Sequence, residues 1–170
     1  MLKVYTSRYS NPELMTGKYT VVGITRGSPK FPLGYRLDGN IIEIAPPGWL
    51  FNEYDREKFT QQYFRNIDKI GIVKILSIIN KYLDLGKDVV LCCYEDVRKP
   101  NEWCHRLVFS EWLEKMTGEK IEELIDPSEI KLPKVKNVKP LRNSRDNDVP
   151  HKEKERYADT LQMTLFDNRQ

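Results

Sequence analysis

Cysteine is scarce in this chain: there are three in 170 residues, with Cys92 and Cys93 adjacent and Cys104 apart. An odd count in that arrangement excludes the disulfide framework of a small secreted domain. There is no C-x-x-C pair, so spacing alone specifies no zinc site and no metal is predicted. No apolar run approaches the roughly 18 residues of a membrane span. The opening residues Met1-Leu2-Lys3-Val4-Tyr5 read as a strand and not as a secretion signal. A cytoplasmic protein with no membrane contact is the expectation. Charge of one sign is lacking too. The net +3, from 28 basic against 25 acidic residues, is too small to argue for nucleic acid by itself. Internal repeats are absent.

What is present alternates between strand and helix signals. Residues 2–6 and 19–25 are short and β-branched, and residues 41–44 offer a third strand before Pro46-Pro47-Gly48. Residues 55–68 carry Phe59, Tyr63 and Ile67 at spacings of four. Residues 72–85 repeat Ile72, Ile75, Leu76, Ile79 and Leu83, a core-facing helical stripe with Gly86 as a C′ residue. The continuous apolar run 88–94 suits a strand buried on both faces. A helix over 103–116, ended by Gly118, and a short strand over 121–125 complete the pattern. This predicts an α/β domain, Rossmann-like with a mainly parallel sheet, over residues 1–126.

The chemistry-bearing residues gather where the apolar run gives way to the next helix. With Asn101 as N-cap, Cys104-His105-Arg106 fall in the first turn, where the helix dipole favours anions and lowers a thiol pKa. Cys104 would attack with His105 as base, or Arg106 and the helix N-terminus would hold a phosphate, or Cys104 and His105 are packing residues. Adjacent helical residues point about 100° apart, so at most two of the three share a pocket. Cys92 and Cys93 read as core. Glu95, at the end of the buried strand, faces the same crevice and is placed to orient His105 or pair Arg106. Ser7 and Arg8 follow the first strand, and Arg26 the second. Parallel strands bring these ends to one edge, which predicts a basic, anion-handling crevice.

Four segments, Tyr5-Thr6-Ser7-Arg8-Tyr9, Gly23-Ile24-Thr25-Arg26-Gly27-x-Pro29-Lys30, Leu91-Cys92-Cys93-Tyr94-Glu95 and Trp103-Cys104-His105-Arg106, resemble the bacterial and viral family catalogued as domain of unknown function 488. Glu111-Trp112-Leu113 fits as well, and the resemblance covers about residues 1–125. It implies that Glu95, Cys104, His105 and Arg106 belong to the active or binding site, with Cys93 as the strand-end cysteine. It implies no particular reaction or cofactor.

Beyond the domain, residues 127–160 lack apolar periodicity and carry prolines at 127, 133, 140 and 150. Lys131, Lys134, Lys136, Lys139, Arg142 and Arg145 occur there without an acidic residue between them. Such a segment reads as a flexible basic arm suited to a phosphate backbone, or as a solubilising linker. Residues 161–170 contain Gln162-Met163-Thr164-Leu165-Phe166, similar to the Gln-x-x-Leu-Phe peptide that docks on the bacterial DNA sliding clamp. Leu165 and Phe166 would be the apolar anchors and Gln162 the rim contact. The sequence therefore leads to a protein acting on DNA or a nucleotide, brought to replication or repair sites by its tail. A non-catalytic clamp- and DNA-binding module, and a small-molecule nucleotide-derivative enzyme or sensor with an irrelevant tail, are the alternatives.

Overall fold

β-branched and apolar stretches supply the strands of a single sheet in the computed structural model, which describes residues 2–132. β1 (Val4–Arg8), β2 (Tyr19–Gly23), β3 (Gly39–Asn40), β4 (Asp88–Cys93) and β5 (Glu122–Glu123) lie in the order β3-β2-β4-β1-β5. Every neighbouring pair is parallel. The fold is α/β, as expected. Lys134, Lys136, Lys139, Arg142, Arg145, Gln162, Leu165 and Phe166 lie outside the described residues, while Lys131 is exposed. Among the described residues no helix is long and apolar enough to cross a membrane.

Three α-helices follow from their patterns. α1 (Arg56–Ile70) is capped by Asp55, whose carboxylate accepts from the Glu57 and Lys58 N–H groups, and it buries Phe59, Tyr63 and Ile67. Gly71, at φ 85°, turns the chain directly into α2 (Ile72–Leu83), which buries Ile75 and Ile79. α3 (His105–Thr117) buries Val108, Phe109, Trp112 and Leu113, and ends on Gly118 at φ 77°.

Strand alternation divides the core in two. On β4, Val89, Leu91 and Cys93 pack with all three α-helices, while Val90 and Cys92 pack with Tyr9, Leu14, Val21, Leu33 and Tyr35. The second face is thus covered by the 3-10 turn Pro12–Thr16 and the loop after β2, not by α-helices. This one-sided cover differs from the helices on both faces of a doubly wound sheet.

Three expected elements are corrected. Residues 41–44 are not a strand: β3 is only Gly39–Asn40, and Ile42–Ile44 forms a 3-10 turn. The buried residues there, Ile41 and Ile44, are three apart, which matches a 3-10 repeat and not strand alternation. The last strand contracts from 121–125 to Glu122–Glu123. The helix expected from Trp103 begins at His105, because residues 96–102 are taken up by consecutive turns, Lys99 N–H to Asp96 O and Glu102 N–H to Lys99 O. Asn101 is not the N-cap: it adopts φ 61°, a left-handed conformation asparagine tolerates, and Cys104 takes the cap position.

Candidate functional site

Parallel pairing sets the site. β4 is central, so its C-terminal end meets the ends of both β2 and β1, with Ile24 N–H bonding Cys92 O at 3.0 Å and Tyr9 N–H bonding Cys93 O at 2.8 Å. The chain then loops out and returns Cys104 to the same edge. That loop is fixed by a knot of charges. Arg98 binds both oxygens of Asp96 at 2.8 Å and reaches the Asp126 and Ser128 carbonyls, while Arg8 pairs Asp96 at 3.2 Å and Asp126 at 2.6 Å. The Arg98 hydrogen bonds hold the Asp96 carboxyl at a pKa of about 2. At Asp126 burial opposes the shift, but Arg8 and Ser128 prevail and the pKa is lowered.

Cys104, the N-cap of α3, is extended (φ −143°, ψ 149°), so the 100° helical offset does not separate it from His105. Both side chains turn to one point, where they meet Cys93 and Glu95. Cys104 Sγ lies 2.8 Å and Cys93 Sγ 3.0 Å from Glu95 Oε2. His105 Nδ1 lies 3.5 Å from Cys93 Sγ and 3.7 Å from Cys104 Sγ. His105 Nε2 is 2.8 Å from Ile24 O. A carbonyl only accepts, so Nε2 carries the proton, and in the neutral ring Nδ1 presents a lone pair to the two sulfurs. Cys93, Cys104 and His105 are all buried, and their ligand atoms lie within 4.8 Å of one another.

The electrostatics separate the two thiols. Burial opposes ionisation of Cys104, but a hydrogen bond from Cys93, the charged form of the His105 ring donating through Nδ1, and the nearby Arg106 charge outweigh that and hold it well below the ordinary thiol range. Cys93 is pushed far up, first by its hydrogen bond to Cys104 and then by burial. Burial and the Cys104 charge also raise Glu95. The shifts at Cys104 and Glu95 are complementary. The 2.8 Å separation of Cys104 Sγ and Glu95 Oε2 suits a proton shared by the two groups.

A cavity of about 720 Å³ opens over this cluster. Cys93, Glu95, Cys104 and His105 line it together with Phe51, Tyr54, Tyr94 and Trp103. Phe51, Tyr54 and Tyr94 are exposed large aromatics. Arg26 stands at the rim, its Nε donating to Pro46 O at 2.7 Å. The lining also includes Glu53 and Glu102, so the basic crevice expected from topology is corrected to an acidic-leaning pocket with one arginine.

Ser7, Arg8 and Arg106 do not line it. Arg106 is fully buried, with its guanidinium spent on Glu123 (Nη2 to Oε1 2.8 Å, Nε to Oε2 3.1 Å) and on Glu95 O (2.8 Å). Ser7 is buried and accepts from Asn11 Nδ2 at 3.0 Å, and Arg8 belongs to the aspartate knot. The residue that sequence reasoning missed is Cys93, set aside as core. The available signal was parity: residues two apart on an extended chain share a face, which links Cys93 to Glu95 and sends Cys92 to the opposite core. No family model, curated protein or solved structure matches the chain.

Proposed function

We propose that this protein is a cytoplasmic enzyme acting on DNA or a nucleotide, with the Cys93–Glu95–Cys104–His105 cluster as its reacting centre. The observation that carries the reading is the joining of that cluster to exposed aromatic rings in one cavity. A planar base offers a face to stack on Tyr54, Tyr94 or Trp103 and a polar edge for the floor. Arg26 at the rim is the basic group left for a phosphate, since Arg106 and Arg8 are committed elsewhere. Glu95 is the proton-transfer group, and Cys104 and His105 stand nearest the reacting atoms. Kinship with the family catalogued as domain of unknown function 488 belongs to this proposal and rests on the four segments quoted above. Recruitment to the bacterial sliding clamp through Gln162, Leu165 and Phe166 belongs to it as well, as does guidance along DNA by the basic residues 131–145.

Calorimetric titration of the full-length protein with deoxynucleotides and with a single-stranded oligonucleotide tests the cavity. Binding should weaken about tenfold in Arg26→Ala, the equivalent of about 1.4 kcal/mol, and by a similar factor in Trp103→Ala. Binding that is absent, or indifferent to both substitutions, removes the nucleotide reading. Clamp binding lost in Leu165→Ala/Phe166→Ala supports recruitment, and its absence in the unaltered protein ends it.

A further inference from the structure

The cluster has a second property, independent of what the cavity binds. Zinc takes thiolate sulfur at about 2.3 Å and imidazole nitrogen at about 2.0–2.1 Å in a tetrahedron. Those bond lengths give a sulfur-to-nitrogen edge of roughly 3.6 Å. The two edges here, His105 Nδ1 to Cys93 Sγ and to Cys104 Sγ, are 3.5 and 3.7 Å. The sulfur-to-carboxylate distances behave differently. At 2.8 and 3.0 Å they are too short for an edge of such a tetrahedron and fit a shared proton. Three side chains are therefore spaced as ligands, and Glu95 is spaced as a hydrogen-bond acceptor for the two thiols.

The imidazole is also oriented as a ligand requires. Metal-bound histidines almost always donate their other N–H to a carbonyl or carboxylate, which fixes the ring and the tautomer. His105 does so through Nε2 to Ile24 O at 2.8 Å. The ligands come from rigid places, the end of the central strand and the first residues of α3, and all three are buried.

We infer that Cys93, Cys104 and His105 form a zinc site with three protein ligands and one position open toward the cavity. Two thiolates and an imidazole suit zinc among the common divalent ions, whereas magnesium and calcium demand oxygen donors. An open position is the mark of a catalytic rather than a structural zinc. A zinc held there would lower the pKa of a water in that position toward about 7.

The test uses full-length protein, stripped with a chelator and titrated first with Co²⁺ and then with Zn²⁺. The expected result is one ion per chain, with thiolate-to-cobalt charge-transfer and tetrahedral d–d absorption that zinc displaces. Cys104→Ser, Cys93→Ser and His105→Gln should each weaken zinc by at least about 100-fold, while Cys92→Ala keeps one tight ion. Because a buried substitution can unfold the chain, the unaltered protein supplies a second reading. Zinc should shield two of its three thiols from a thiol-reactive disulfide reagent under native conditions. No cobalt charge-transfer band, or three thiols equally reactive with and without zinc, overturns the inference. Zinc binding without nucleotide binding upholds the metal site and removes the substrate reading, and nucleotide binding without zinc does the reverse.

Discussion

Arg106 and Glu123 form a pair whose two halves are unequally buried, and that inequality sets what each substitution costs. Arg106 has 1% of its side chain exposed, while Glu123 keeps 31%. Glu123→Leu leaves a guanidinium in the core with only the Glu95 carbonyl as partner, and stranding a buried charge costs about 3–5 kcal/mol. Arg106→Met leaves a carboxylate that water can reach and that still accepts from Thr6 Oγ1 at 2.7 Å. Its cost is about 1–2 kcal/mol, chiefly the Glu95 carbonyl losing its donor. The double substitution replaces the pair by apolar volume and should fall within about 1 kcal/mol of the unaltered protein. Urea unfolding followed by circular dichroism reads all three, provided the slope against urea is unchanged. A reversed order, with Arg106→Met costlier than Glu123→Leu, would refute the reasoning. So would Arg106→Met that abolishes nucleotide binding without changing the unfolding midpoint, because the guanidinium would then face the ligand.

The aspartate knot gives stability a pH dependence of known sign. Asp96 and Asp126 have lowered folded-state pKa values, with Asp96 at about 2. Their contribution is complete above the unfolded value of about 3.9 and is lost as pH falls from there toward about 2. Asp96→Asn should flatten that fall in the urea midpoint, and an identical acid profile in both proteins contradicts it. Gly23→Ala would set a Cβ 2.5 Å from Tyr9 Oη and 2.6 Å from Asn40 Oδ1, so a loss of about 1–3 kcal/mol is expected in the same assay. In reduced, metal-free protein at neutral pH, limited alkylation followed by peptide mapping should label Cys104 first. Cys92 and Cys93, both raised, should label later, and equal labelling of all three would mean that Cys104 is not the ionised thiol.

The helices of the fold were legible because their signals are local. The four-residue spacing of Phe59, Tyr63 and Ile67 and the stripe through Ile75 and Ile79 define α1 and α2 without any knowledge of what they pack on. β4 was legible because a strand buried on both faces is apolar at nearly every position. β3 was not, and β5 was legible in place but not in extent. Each is two residues long, its limits set by pairing, Val22–Gly23 with Gly39–Asn40 and Tyr5–Thr6 with Glu122–Glu123, which no local pattern encodes. The start of α3 was misplaced for a related reason. Trp103 continues the apolar pattern of the helix, yet it is held outside it, with its ring 4.9 Å from that of Phe59.

The site shows the same division more sharply. Glu95, Cys104 and His105 could be named because they flank a strand-to-helix passage, where parallel sheets gather ligands. That Arg106 belongs to the fold could not be read from the same passage, because it depends on Glu123 in β5. Cys93 was legible there only through its strand parity with Glu95. The tautomer of His105 depends on a third segment, because Ile24 O is available only if β2 lies beside β4. The sheet order therefore does chemical work at this point. Had β1 and β2 exchanged places, the same residues would still follow the same strand, but another backbone would face Nε2. His105→Gln separates these contributions. An amide nitrogen can keep the bond to Ile24 O, while its oxygen is a far weaker zinc ligand than imidazole nitrogen. Stability should thus survive that change better than zinc affinity does. An equal loss of both would mean that the histidine serves the packing of β2 against α3 and not the ion.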